Sequence, residues 1–175
     1  MTTAANNRTS KRLVKAYVNK VYVPNDATDH DKSYGIGSIF LAGPTPRDDK
    51  TPSWRPDFVR RLARAKVHCT VFIPEQKNGK WLGNYDQQCE WEYNHLALSS
   101  AVVFWVPREL KMMPAFTTNV EFGYWLGSKK MFYGRPDDAP KNRYLDWMYR
   151  KEYEHEDPQT TMKALVDRVV NYLKE

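Results

Sequence analysis

The stretch "AVVFWVP", residues 101–107, decides the fold. Six apolar residues follow one another with no polar break, and Pro107, which has no N–H to give a ladder, ends the run. A strand with one wet face would alternate. An unbroken apolar run bounded by a stop is the pattern of a strand covered on both sides. Two more such runs lie upstream, "SIFLAG" (38–43), ended by Gly-Pro, and "CTVFIP" (69–74), ended by Pro74; "KMFYG" (130–134) lies downstream. "AYVNKVYV" (16–23) alternates and predicts an edge strand.

Helical spacing fills the gaps between these runs. Pro56 suits a first helical turn, with Phe58, Val59 and Leu62 on its inner face. "QQCEWEYNHLAL" (87–98) and "NVEFGYWLG" (119–127) predict two more helices, and "TTMKALVDRVVNYLKE" (160–175) predicts an amphipathic one. Buried strands alternating with helices give an α/β, doubly wound sandwich with a mainly parallel sheet of about five strands. Ligands of such sheets lie beyond the carboxyl ends of the strands, which selects the loops 43–55, 74–86 and 107–119.

The chain has 175 residues, 41% hydrophobic and 14% aromatic, which suits one domain with a real core. No apolar run approaches the roughly 20 residues of a membrane helix, so no membrane association is expected, and "MTTAANNRTSKR" lacks the apolar centre of a signal peptide. Two cysteines, Cys69 and Cys89, make a disulfide framework a poor reading and a reducing cytoplasm the simplest setting. Four histidines without CxxC or HExxH spacing predict no metal. The net charge is +6, yet residues 1–20 carry five basic residues and no acid. Residues 1–15 are therefore expected to be a flexible basic arm before a single domain, 16–175. The near-neutral body argues against nucleic acid as the partner.

Three polar features stand where the fold expects a ligand. In "GPTPRDDKTPSWRP" (43–56), Gly43 allows close approach of backbone to a ligand, and Arg47, Ser53 and Arg55 are candidates for an anion. It matches neither a dinucleotide nor a triphosphate loop, so no cofactor is predicted. In "QQCEWEYNHLAL", Gln88, Glu92 and His95 share one helical face. In "TTNVEFGYWLG" (117–127), Thr118 and Glu121 fit a capping box, with Glu121 bonding back to the helix start. The same position would keep its carboxylate ionised by the helix dipole, ready for attack on a sugar carbon.

Taken together, "IFLAGPTPR", "SWRP", "VFIPE", "QCEWE", "FWVPRE", "TTNVEFGYW" and "YLD", spread over about residues 38–147, resemble the nucleoside 2-deoxyribosyltransferase-like family. The resemblance implies a flavodoxin-like domain that cleaves the N-glycosidic bond of 2′-deoxynucleosides or deoxynucleotides, without a cofactor. It implies Glu121 as nucleophile and Glu92 as the second acidic residue. Phe40, Gly43 and Pro44 would line the sugar pocket, Arg47, Ser53 and Arg55 would hold a 5′-phosphate, and Thr118 and Asn119 would orient Glu121 or a sugar hydroxyl. Trp54 and Trp81 are candidates to stack on the base. The sequence departs from the family pattern twice. Ala115 stands where a leaving-base aspartate is expected, and Phe40 where a tyrosine is. Glu92 and Glu109 are then the candidates for the acid. Alternatives are a nucleoside 5′-monophosphate N-glycosidase, which hydrolyses rather than transfers, and a nucleotide-binding module without catalysis. The resemblance further implies a homodimer or larger assembly; the aromatic-rich "YLDWMYRKEY" (144–153) suits such an interface and equally suits the core.

Overall fold

The computed structural model describes residues 11–14, 18–24, 37–75 and 84–175. Four parallel strands form its centre: β2 (Ser38–Ala42), β3 (Cys69–Phe72), β4 (Ala101–Trp105) and β5 (Met131–Gly134). β1 (Val18–Tyr22) pairs in parallel with β3 at one edge, giving the order β1-β3-β2-β4-β5. The helices are α1 (Arg55–Arg64), α2 (Tyr85–Leu98), α3 (Phe116–Trp125), α4 (Arg143–Glu152) and α5 (Met162–Tyr172).

Alternation is present in space although it is absent from the sequence. Ile39, Leu41, Val71, Val103 and Trp105 face α1 and α5, where they meet Phe58, Leu62, Leu165 and Val169. Phe40, Ala42, Phe72, Val102, Phe104 and Tyr133 face α2, α3 and α4, where they meet Trp91, Phe122 and Tyr149. Both sets are apolar because both faces are covered, and this is why the strands read as unbroken runs. The result is a three-layer α/β sandwich of flavodoxin-like kind.

Strand order fixes the place of a site. From β2 the chain steps to β3 on one side and then crosses back over β2 to β4 on the other. Right-handed crossovers place α1 on one face and α2 and α3 on the other. The loops after β2 and β4 therefore part in opposite directions and leave a crevice between them.

The aromatic-rich segment 144–153 lies mostly in helix α4, where Leu145 and Tyr149 are buried against the sheet while Tyr144 and Trp147 stay exposed. The start of α3 differs from the capping-box reading. Ala115, with φ 61° and ψ 36°, precedes the first helical turn, and Asn119 N donates to its carbonyl at 3.1 Å. Thr118 thus lies within the first turn and Glu121 in the second. Arg108 explains the shift, because Nη1 donates to Pro114 O at 3.0 Å and Nη2 to Asn119 Oδ1 at 2.6 Å, pinning both sides of the turn. Of the expected basic arm, residues 11–14 are helical, and Leu13 and Val14 pack on the core; its other residues lie outside those described.

Candidate active site

A cleft of about 270 Å³ opens at the crevice. Its floor is the turn after β2, where Gly43 has φ 134°. A Cβ there would lie 2.2 Å from the carbonyl oxygen of Trp105 on the neighbouring strand, so no other residue fits. Pro44, Thr45 and Arg47 continue one wall. Pro114 to Thr118, the turn into α3, form the facing wall, and Tyr85, Gln88, Cys89 and Glu92 of α2 close the third side. The two loop walls are tied together, since Arg47 N donates to Met112 O at 3.0 Å.

Glu92 and Glu121 meet in this cleft. Each adjoins a deeply packed aromatic residue: Glu92 follows Trp91 and Glu121 precedes Phe122. Phe122 is fully buried and edge-on to Phe104 and Tyr133, at 5.2 and 4.9 Å between ring centres. A helix turns about 100° per residue, so anchoring one side chain in the core sets the direction of its neighbour. Gln88 Nε2 donates to Glu92 Oε1 at 2.7 Å, one turn apart on α2. The Glu121 carboxyl lies beside that of Glu92, within reach of a shared proton.

The pair holds a proton well above the usual carboxylate range. Burial raises the Glu121 pKa, the negative Glu92 raises it further, and Arg55 opposes both; the result is about 8. Burial also raises Glu92, against the hydrogen bond from Gln88, the charge of Arg55 and the hydrogen bond from Glu121. This overturns the expectation that the helix dipole keeps Glu121 ionised. Standing in the second turn beside another carboxyl, it feels desolvation and like charge first.

Of the residues read from the sequence, Glu121, Glu92, Gly43, Pro44, Arg47 and Thr118 line the cleft. Five others do not. Phe40 is fully buried against Trp91 in the core beneath. Trp54 is packed edge-on to Phe58 and donates Nε1 to Pro44 O at 3.1 Å, so it supports the floor and offers no face to a base. Ser53 donates to Glu75 at 2.9 Å. Arg55 is fully buried and turned to the loop backbone. Asn119 gives its carbonyl oxygen to Arg108. Glu109 is spent on its own turn, accepting from the backbone N–H of Lys111 and Met112 at 3.1 and 2.7 Å, whereas Glu92 lines the cleft beside Glu121. Trp81 lies outside the described residues.

Tyr85 and Phe116 were missed. Both are largely exposed aromatic rings on the cleft wall, and the Arg47 guanidinium lies 5.7 Å from the Phe116 ring centre. A helix boundary placed two residues late, at Gln87, left Tyr85 in a loop, while Asn84, whose side chain accepts from Asp86 N at 2.9 Å, was the signal for the true start.

Among the described residues, the arrangement offers two carboxyls that share a proton, a backbone floor, two aromatic rings and one cation at the mouth. Such a site suits nucleophilic attack with acid assistance on a small, partly aromatic, polar molecule. The family model described as nucleoside 2-deoxyribosyltransferase like matches residues 36–139, more than half of the chain. No curated protein matches it.

Proposed function

We propose that this chain, which belongs to the nucleoside 2-deoxyribosyltransferase-like family, cleaves the N-glycosidic bond of 2′-deoxynucleosides or deoxynucleotides through a covalent ester on Glu121 and passes the deoxyribose to a second base. The observation that carries this reading is that two carboxyls, Glu92 and Glu121, line the strand-end cleft together. One proton shared by two carboxyls supplies both a nucleophile and an acid.

Substrate binding moves the shared proton to Glu92, leaving Glu121 as the carboxylate. Glu121 attacks C1′, the C1′–N bond breaks, its electron pair stays on the base, and Glu92 delivers the proton to that base. The products of this half are a free base and a glycosyl ester. In the second half Glu92 takes a proton from an incoming base, whose nitrogen attacks C1′ and releases the Glu121 carboxylate. Negative charge beside C1′ also stabilises the oxocarbenium character of both transition states. Tyr85 and Phe116 stack on the base, and Thr118 orients the sugar or Glu121.

Arg47 favours a second reading. Its guanidinium at the mouth of the cleft suits a 5′-phosphate, with water in place of the second base and deoxyribose 5-phosphate as product. Incubation with the four deoxynucleoside monophosphates and with unphosphorylated deoxynucleosides, each with and without an acceptor base, separates the readings. New nucleoside formed only with acceptor supports transfer. Sugar phosphate released without acceptor supports hydrolysis. Tight binding with neither product would mean a binding module and contradict both.

The same proposal includes a homodimer or larger assembly. Tyr93, Val120 and Tyr124 are exposed side by side on α2 and α3 next to the cleft. Light scattering on the purified protein should give at least twice the 20.6 kDa chain mass; a monomer across the micromolar range would contradict it.

A further inference from the structure

Arg55, the second residue of "WRP", is one of the largest fully buried side chains in the protein. Its donors are directed at the end of β2 and the turn that follows: Nε to Leu41 O at 2.9 Å, Nη2 to Gly43 O at 2.6 Å, and Nη1 to Thr45 Oγ1 at 3.2 Å and Pro44 O at 3.4 Å. Nη1 also pairs with the carboxylate of Glu75, which lies just past β3 and accepts from Ser53 as well. The guanidinium lies over Trp54, 4.7 Å from its ring centre. Burying a guanidinium costs several kcal/mol before its partners repay it, and an apolar residue would fill the same volume more simply. Stability alone is a weak reason for it.

We propose that the Arg55–Glu75 pair is a positioning element for the reaction: it fixes the Gly43–Thr45 floor of the cleft and places, without touching substrate, the positive charge that lets the Glu92–Glu121 pair carry a negative one. This rests on the reading that the carboxyl pair performs the chemistry. The groups that bear on Arg55 come from three separate elements, Glu75 from the segment after β3, Glu92 from α2 and Glu121 from α3. The carboxyl pair itself faces Arg55, Gln88 and, more distantly, the Tyr85 hydroxyl. Among the described residues, Arg55 is the cation that bears on both members and opposes the effect of burial on each. Glu75, whose side chain is 18% exposed, balances part of that charge and so sets how much of it reaches the cleft.

The two partners should therefore move the carboxyl pair in opposite directions. Carboxyl titration followed by NMR on protein labelled in the glutamate side chains, with thermal melting to certify folding, reads this without any need for activity. Glu75→Gln leaves the Arg55 charge unbalanced, and the Glu121 titration should move to lower pH. The double variant R55M/E75Q removes both charges without leaving one buried alone, and the titration should move to higher pH, by on the order of one unit. Arg55→Lys keeps the charge but loses the fork; its titration should stay near that of the parent while KM rises. Unmoved titrations in folded Glu75→Gln and R55M/E75Q proteins would overturn the inference, and should the double variant not fold, Glu75→Gln alone decides. Opposed shifts in a protein that cleaves no nucleoside would leave the positioning role standing and remove the proposed function. Activity with unmoved titrations would do the reverse.

Discussion

At the scale of the residue, Glu92 and Glu121 matter as a pair because neither has the other's environment. Both approach the cleft from helices anchored by core aromatics, and one proton lies between them. Replacing Glu121 by Gln should reduce turnover by several powers of ten, since the nucleophile is gone. Glu92→Gln should also be slow with natural bases but should recover with a leaving group that departs as a stable anion, because only the acid is lost; equal deficits on both substrates would count against Glu92 as the acid. Activity should fall as pH rises past about 8, where the pair loses its proton. Stability follows the same sign. A carboxyl whose pKa is raised on folding stabilises fully below its ordinary 4.5, and that contribution is lost as pH climbs through about 8. Denaturant titrations of Glu121→Gln should show a flatter decline over that window than the parent protein. Glu121, Glu92, Gly43 and Arg47 were legible in the sequence because each stands next to a strand end or on a helical face that the pattern locates. Arg55 and Trp54 were misread as ligands because a loop sequence does not reveal which side chains turn inward. Arg55 turns inward because three strand-end carbonyls and Glu75 await it there.

Among the elements, α3 and the turn after β2 carry most of the site. The aromatic anchor of α3 predicts that Phe122→Ala should cost about 3–5 kcal/mol in urea unfolding and should lower activity further than the loss of stability explains, because Glu121 loses its fixed direction. Gly43→Ala forces a Cβ to 2.2 Å from the Trp105 carbonyl at a φ of 134°, so it should destabilise by about 1–3 kcal/mol. A Gly43→Ala protein as stable as the parent would show that the floor is more yielding than its geometry. Strands were legible to within a residue or two because full burial leaves no polar interruption. The start of α3 was not, because Thr118 and Glu121 satisfy the capping pattern locally while Arg108, ten residues upstream of Thr118, holds Pro114 and Asn119 in a different turn. Helix α4 was missed since Tyr144 and Trp147 on its wet face are as apolar as Leu145 and Tyr149 on its buried one, so the helical period is blurred.

For the molecule as a whole, the strand order is what converts scattered residues into a site. Reversal at β2 opens the crevice, and loops separated by more than sixty residues meet there, as Arg47 N and Met112 O do. Sequence order alone places the glycine turn, Glu92 and Glu121 far apart. Only the parallel order β3-β2-β4 brings them to one end of the sheet; the unbroken apolar runs and the handedness of their crossovers made the parallel, doubly wound sheet legible, but not which strands are neighbours. The central claim is that Glu121 becomes covalently bound to the sugar. Intact-protein mass spectrometry, after rapid acid quench of a reaction with excess deoxynucleoside or deoxynucleotide, followed by peptide mapping, measures this directly. A deoxyribosyl or phosphodeoxyribosyl adduct on the peptide containing Glu121, absent from Glu121→Gln, is the expected result. Base release with no adduct, or with an adduct on another residue, would contradict it.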